Sequence, residues 1–505
     1  MRLRQKRGPC YDLSRMAISN DLARGLKKVD QDLAFMMGCF VEVLEQLEHK
    51  DLAGTLPWMG KRKLRGVQIF SYRGVQAYSI AFQLLNMVEE NASAQSKRLR
   101  ESKNGLASDP GSWGRALNRL RDSGLSDKQV AKRLNRIRVE PVLTAHPTEA
   151  KRATVLEIHR EIYKLLVRRE NSMWTVAEQR AIRDEIKVAL ERLWRTGEFY
   201  QQKPDVESEL RNINYFLSKV FPDALVSMDL RLRQAWEEAG FSADKIEHPD
   251  SMPMVTMGTW VGGDRDGHPL VTAEVTTRAL NLFRSTALDI ANERLETLGQ
   301  RLSLGDHLQL PPAVFVKQVE KHAAVQGEAG EAALKRNIGE TWRQYINLIR
   351  LRLPETVGEC APGKHKTPDG VIADLLFLRE TLIEVGAGNI ARYELDPLIR
   401  FLRTFGFHMA TLDIRQNSAF HDKAIDQLME AAGLADTDYA RWDESRRLGF
   451  LDSELRSTRP FIREQASIGA EADAVIACHR ALVEHTTQYG SAGLGALIVS
   501  MTRSV

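Results

Sequence analysis

Cysteine is scarce in this chain: Cys10, Cys39, Cys360 and Cys478 are the full set in 505 residues, with no Cys-x-x-Cys spacing. Four scattered thiols do not make a disulfide framework, and they read as free thiols in a reducing compartment. Long apolar runs are missing too, none approaching the ~18 residues of a membrane span. Charge of one sign is not in excess, with 71 basic against 67 acidic residues and a net charge of +4. With no interleaving of aromatic and basic residues, that balance argues against nucleic acid as a partner, although a local basic patch can still serve an anionic substrate. The start, Met1 to Arg7, is basic but has no apolar segment behind it, and Asp12 and Asp21 argue against an organelle-targeting peptide. Internal repeats and low-complexity tracts are absent. What remains is an ordinary globular composition, 43% hydrophobic and 27% charged, of a length that suggests two or three domains and a cytoplasmic location.

Most of the chain has helical periodicity. Between Asp21 and Glu48, Leu22, Leu26, Val29, Leu33 and Met37 recur every three or four residues, which predicts one or two helices. Trp174 to Trp194, Leu280 to Leu302 and Glu331 to Leu351 are further helical stretches, rich in good helix formers. Residues 104–112 and 360–370 gather Gly, Pro and polar residues and read as exposed loops.

Strand signals are few, short and far apart, and each stops at a chemically loaded turn. The first, Val139 to Leu143, runs into Thr144-Ala145-His146-Pro147-Thr148-Glu149, where Pro147 forbids further ladder pairing and Thr148 can cap the following helix. His146 thus falls beside a helix N-terminus; a lone turn histidine is more often structural than catalytic. The second, Met254 to Val261, runs into Gly262-Gly263-Asp264-Arg265-Asp266-Gly267 beside Trp260. Its glycines permit positive φ and close backbone approach, while its charges alone fit a surface turn with internal ion pairs equally well. A calcium loop is disfavoured, because the regular aspartate spacing and distal glutamate are missing. The third, Phe407 to Ile414, leads to Arg415-Gln416-Asn417-Ser418; Arg415 offers a planar fork suited to phosphate or carboxylate, or an ordinary ion pair. A fourth apolar run spans Leu494 to Met501. Such residues at strand ends match where a (β/α)8 barrel keeps its active site.

Taken together, Thr144 to Glu149, Gly262 to Gly267 with Pro269, and Leu412-Asp413-Ile414-Arg415-Gln416 resemble the signatures of phosphoenolpyruvate carboxylase. Weaker similarity covers nearly the whole chain, including Leu85 to Glu90, Leu190 to Leu217, Ser457 to Pro460 and Val499-Ser500-Met501. His268 stands where the family usually has asparagine, and Asn417 where it usually has glutamate.

The resemblance implies a mainly α fold with a few parallel strands: the N-terminal half of a helix-rich (β/α)8 TIM-type barrel. Residues 1–136 would form a helical N-terminal region and 137–505 the first half-barrel with long helical insertions. The family's acidic metal ligands, catalytic lysine and mobile glycine-rich loop have no counterpart here, so the chain reads as part of a longer polypeptide and is expected to be inactive alone. The implied reaction carboxylates phosphoenolpyruvate with bicarbonate to oxaloacetate and phosphate, feeding the tricarboxylic acid cycle, with Mg2+ or Mn2+ bound in the other half and a homotetramer as the full-length assembly. By the same resemblance His146 is the general base, and Arg415 grips an anionic group of substrate. Trp260, Asp264 and Arg265 shape the bicarbonate pocket, with Arg265 as an anion contact or a partner of the two aspartates. Arg152 is a further anion contact or a solvated helix charge, and Glu149 a helix-terminus residue. The competing readings are a phosphoenolpyruvate phosphatase or mutase on the same scaffold, and a non-catalytic regulatory or assembly relic.

Overall fold

The computed structural model describes residues 20–58, 71–144, 153–197, 205–354, 358, 362–458 and 467–502. The chain divides into two compact units, one of residues 1–118 with 150–203, the other of residues 119–149 with 204–505.

The principal helices of the first unit are α1 (Asn20–Gln46), α2 (Tyr72–Asn104), α3 (Ala153–Arg168) and α4 (Val176–Thr196). Each follows an apolar stripe at helical spacing. Met36, Phe40 and Leu44 from α1, Ile80, Leu84 and Val88 from α2, Ile162 and Leu166 from α3, and Ile186 and Leu190 from α4 meet in one core. Thr175 starts α4 with a capping box: its hydroxyl accepts from the Glu178 amide while the Glu178 carboxylate accepts from the Thr175 amide. Cys39 is a fully buried free thiol, and burial pushes its pKa up to about 11.

The second unit carries the strands. β1 (Arg138–Val139) pairs in parallel with β3 (Met254–Val255). β2 (Val142–Leu143), β4 (Gly258–Thr259), β5 (Thr411–Asn417) and β6 (Leu494–Ser500) form a four-stranded parallel sheet in that order. Pro141 separates β1 from β2; it has no N–H to donate, but its carbonyl accepts from Gly258 at 3.0 Å and keeps the two ladders in line. Parallel neighbours need long crossovers, and helices supply them. Between β2 and β4 the chain runs through α3 and α4 of the first unit and then α5 (Val206–Lys219) and α6 (Phe221–Glu238). Between β4 and β5 lie α7 (Ala273–Arg301), α8 (Ala313–Val325), α9 (Gly327–Lys335), α10 (Thr341–Leu351), α11 (Asp369–Glu384) and α12 (Asp396–Phe405). The principal helices between β5 and β6 are α13 (Ser418–Ala431) and α14 (Ala470–Tyr489).

The mainly helical fold with a few parallel strands is as the sequence leads one to expect, with two local corrections. Glu331 to Leu351 is not one helix: Asn337 and Gly339 adopt φ of 65° and 78°, and the chain turns between α9 and α10. The strand expected from Phe407 begins only at Thr411, because Met409 takes φ of 53° and ends any extended run before it.

The core of the second unit packs α7, through Ala279, Phe283, Leu288 and Leu295, against the Phe315, Trp342 and Tyr345 cluster and against Leu412 and Ile414 of β5. Buried ion pairs hold the approach to β3. Arg400 grips Asp229 at 2.6 and 3.2 Å and donates to the Pro253 carbonyl at 2.9 Å, and Arg379 pairs with Asp396 at 2.7 Å. Such pairs are costly to break singly, since the survivor is left charged and desolvated.

His408 in the turn before β5 sets a pH limit on this unit. Arg284 from α7 lies 4.1 Å above the Tyr489 ring, and His485 of α14 packs 5.2 Å from that ring. Burial, with the charges of His485 and Arg284 adding to it, brings the His408 imidazole down to about 4. The folded state therefore holds fewer protons than the unfolded chain between that value and the ordinary histidine pKa of ~6.5. Its contribution is complete above that upper value and is lost as pH falls towards 4. Between pH 7 and pH 5 the unit should lose roughly 2 kcal/mol through this group. Urea unfolding of His408→Leu at both pH values should show a shallower acid loss than the native chain; equal losses would remove His408 from the account.

Candidate active site

All four strands of the larger sheet are parallel, so their carboxyl ends lie together, and polar side chains gather there. The loop after β4 is the organising element. Gly262 has φ of 89°, and a Cβ on it would lie 2.8 Å from the Ala279 Cβ. A Cβ on Gly263 would lie 2.1 Å from the Asp413 carbonyl oxygen, closer than side chains tolerate. That contact lets the loop rejoin β5: the Arg415 amide donates to the Gly263 carbonyl at 3.1 Å, and the Arg265 amide donates to the Arg415 carbonyl at 2.9 Å. Gly263→Ala should force the strands apart and cost on the order of 1–3 kcal/mol, as overpacking does. A chemical denaturation midpoint unchanged from the native chain would contradict that close approach.

Strand alternation then sorts β5. Leu412, Ile414 and Gln416 are buried on one face, while Asp413, Arg415 and Asn417 are partly open on the other. Arg415 reaches Asp264 at 3.4 Å with Nη1 and Asp266 at 3.0 Å with Nη2, and its guanidinium sits 5.2 Å from the centre of the Trp260 ring. Of its five N–H donors these contacts use two. Among the described residues no acceptor takes the others, which leaves them to an anion, and the fork is already oriented by two carboxylates and an aromatic face.

Asp266 is the most heavily engaged group of the cluster. It accepts from the Ser500 hydroxyl at 2.6 Å, from the Asn417 amide at 3.3 Å and from Arg415. The Ser500 hydrogen bond, with those of Asn417 and Arg415, holds its carboxyl below the usual carboxylate range against the opposing effect of burial. Asn417 serves twice, because its side-chain oxygen also accepts from the Ala419 amide and caps α13. At the other end of the sheet, Glu140 accepts from Thr256 at 3.0 Å and from Thr411 at 3.1 Å, tying three segments together.

Of the residues singled out from sequence, the structure brings Trp260, Asp264 and Arg415 into one cluster. Arg265 is turned to the reverse side: it donates to the Gly263 carbonyl at 3.1 Å, to the Thr276 hydroxyl at 2.6 Å and to the Thr272 carbonyl at 3.4 Å. There it staples the glycine loop to α7, and Thr276 completes the staple by donating to the Gly262 carbonyl. His146, Glu149 and Arg152 lie outside the described residues. The chain leaves β2 at Leu143, whose carbonyl accepts from Thr259 at 2.8 Å, at the same sheet end as the Arg415 cluster. Ser500 and the donor role of Asn417 were not read as functional from sequence. Their signal was the same as for the others, a polar residue closing an apolar strand.

Among the described residues no group of three or more His, Cys, Asp or Glu side chains could hold a metal ion. Asp264 and Asp266 are committed to Arg415, Ser500 and Asn417 instead, so these residues do not fit a divalent-metal site. Nor, among the described residues, is any helix long and apolar enough to cross a membrane.

A helix-rich α/β protein with an arginine, two aspartates and a tryptophan at the carboxyl ends of parallel strands is the class that this geometry defines. The chain belongs to the phosphoenolpyruvate carboxylase family, whose family model matches residues 67–505. It is 30% identical over 447 residues to the phosphoenolpyruvate carboxylase of Methylorubrum extorquens, covering 86% of this chain and 47% of that protein. With the Rhodopseudomonas palustris (strain CGA009) enzyme of the same name it shares 32% over 449 residues, 86% of this chain and 46% of the relative. A third relative of that name, from Roseiflexus castenholzii, is 30% identical over 444 residues, 85% of this chain and 46% of its own length. The chain thus spans about half the length of the curated relatives it matches.

Proposed function

We propose that this chain supplies the first half of a phosphoenolpyruvate carboxylase site, built as four strands of a helix-rich (β/α)8 barrel. The observation that carries the reading is Arg415: a pre-oriented guanidinium with unused donors, at the carboxyl ends of parallel strands, beside the Gly262 to Gly267 loop. Among the described residues β2 and β6 are the outer strands of the sheet, with Val142, Leu497 and Val499 exposed on them, which fits a half-barrel.

In the proposed reaction a bicarbonate oxygen attacks the phosphorus of phosphoenolpyruvate, and the bond from phosphorus to the enol oxygen breaks. Carboxyphosphate and the enolate of pyruvate result. His146 then takes the carboxyphosphate proton, which drives release of carbon dioxide and phosphate, and the enolate carbon attacks carbon dioxide to give oxaloacetate. Arg415 would hold a phosphate or carboxylate of the substrate, with Trp260 and the glycine loop shaping the bicarbonate site. Arg152 joins as an anion contact. In this reading Arg265 acts on the site through the loop it staples.

The divalent metal, Mg2+ or Mn2+, would add positive charge opposite the phosphoryl group and enolate, with ligands from outside the described residues. A cytoplasmic homotetramer supplying the tricarboxylic acid cycle completes the reading. The assay that separates it from a phosphatase on the same scaffold is phosphate release from phosphoenolpyruvate with and without bicarbonate. A carboxylase releases phosphate only when bicarbonate is present; release at the same rate in its absence would favour the phosphatase.

A further inference from the structure

The reverse face of β5 holds a second candidate site. Behind Arg415, between β5 and β6 on one side and α13 and α14 on the other, lies a cavity of about 120 Å³, open to solvent along β6. Its walls are mostly apolar, including Ile414, Val475, Leu497 and Val499. None of the lining side chains is a carboxylate. Arg265 and Gln416 are among the residues that line it.

The charge on Arg265 is what makes the cavity more than a packing gap. Every hydrogen bond of this side chain goes to a neutral acceptor: the carbonyls of Gly263 and Thr272 and the hydroxyl of Thr276. Among the described residues no carboxylate comes within ion-pair distance of it. A half-buried cation with no carboxylate of the described residues at ion-pair distance, Asp264 acting on it only from farther off, and lining an apolar cavity, is complementary to an anionic head on an apolar body. We propose that this cavity is a binding site for a small monocarboxylate with a short apolar tail, its carboxylate on Arg265 and its tail among Ile414, Val475, Leu497 and Val499.

The position gives such an occupant a route to the front of the sheet. It would touch Ile414 and Gln416, the two neighbours of Arg415 in β5, and the residue between Asp264 and Asp266 in the loop. An effector role for the site rests on the reading of the Arg415 cluster as a substrate site; the binding itself does not. Tested by binding alone, the two can fail separately.

The test is isothermal titration of the 505-residue chain with hexanoate, with hexan-1-ol as the uncharged chain and with acetate as the head without a tail. Charge-assisted hydrogen bonds predict saturable one-site binding of hexanoate at least ~10-fold tighter than of hexanol, with acetate weaker still. Ala474→Phe, which adds bulk to the α14 wall and leaves the Arg265 charge in place, should abolish hexanoate binding. Arg265→Gln should bring hexanoate down to the hexanol level and leave hexanol unchanged; should that variant not fold, Ala474→Phe and the ligand comparison decide. Equal affinity for hexanoate and hexanol, binding that survives Ala474→Phe, or no binding at all would each overturn the proposal.

Discussion

Arg415→Lys in the complete enzyme should lower kcat/KM for phosphoenolpyruvate by roughly 10–100-fold while keeping the net charge. Lysine has one compact ammonium, which cannot reach Asp264 and Asp266 with separate prongs and still lie against Trp260 as the guanidinium does. The oriented donors that would meet substrate are lost with the fork. Charge-assisted hydrogen bonds to ionised groups are each worth roughly 1.5–3 kcal/mol, which sets the scale of the expected loss. Steady-state kinetics with phosphoenolpyruvate varied would read it. Wild-type values in a folded variant would mean that Arg415 only braces the loop.

A larger and more selective loss is expected at His146. If this histidine acts on carboxyphosphate, His146→Asn should abolish oxaloacetate formation more severely than phosphate release, because phosphoryl transfer comes first. Removing a general base typically costs ~10²–10⁴-fold in its own step and need not slow an earlier one. Oxaloacetate and phosphate should be assayed on the same samples. Equal loss of both products in folded protein would contradict the assigned order of events.

The sheet was legible in the sequence to the extent that each strand is an apolar run closed by a turn residue. Val142, Met254, Leu412 and Leu494 all fall in strands or at their starts on that signal. Where one residue's φ decides, the pattern gave no warning: Met409 delays β5, and Asn337 with Gly339 splits a stretch that has helical periodicity throughout. The cluster was legible in its members but not in their pairing. Arg415 and Asp264 are 151 residues apart, and only the fold brings Gly263 against Asp413 so that they can meet. The direction of Arg265 was not readable either. A period of two sorts faces within a strand, but the glycine loop departs from it, and the Thr276 hydroxyl on α7 captures the guanidinium from behind. Asn417 is the converse case: it departs from the family's usual glutamate, yet it both caps α13 and donates to Asp266. A carboxylate there would face Asp266 with like charge.

The most direct measurement is oxaloacetate formation from phosphoenolpyruvate and bicarbonate with magnesium, followed through malate dehydrogenase and NADH. It would be made on residues 1–505 alone and on the same residues joined to the part of the Methylorubrum extorquens relative outside the matched region. The half-site account predicts no turnover by residues 1–505, and bicarbonate-dependent oxaloacetate formation by the joined chain that falls when Arg415 is replaced by lysine. Turnover by residues 1–505 alone, or a joined chain indifferent to Arg415, would contradict it.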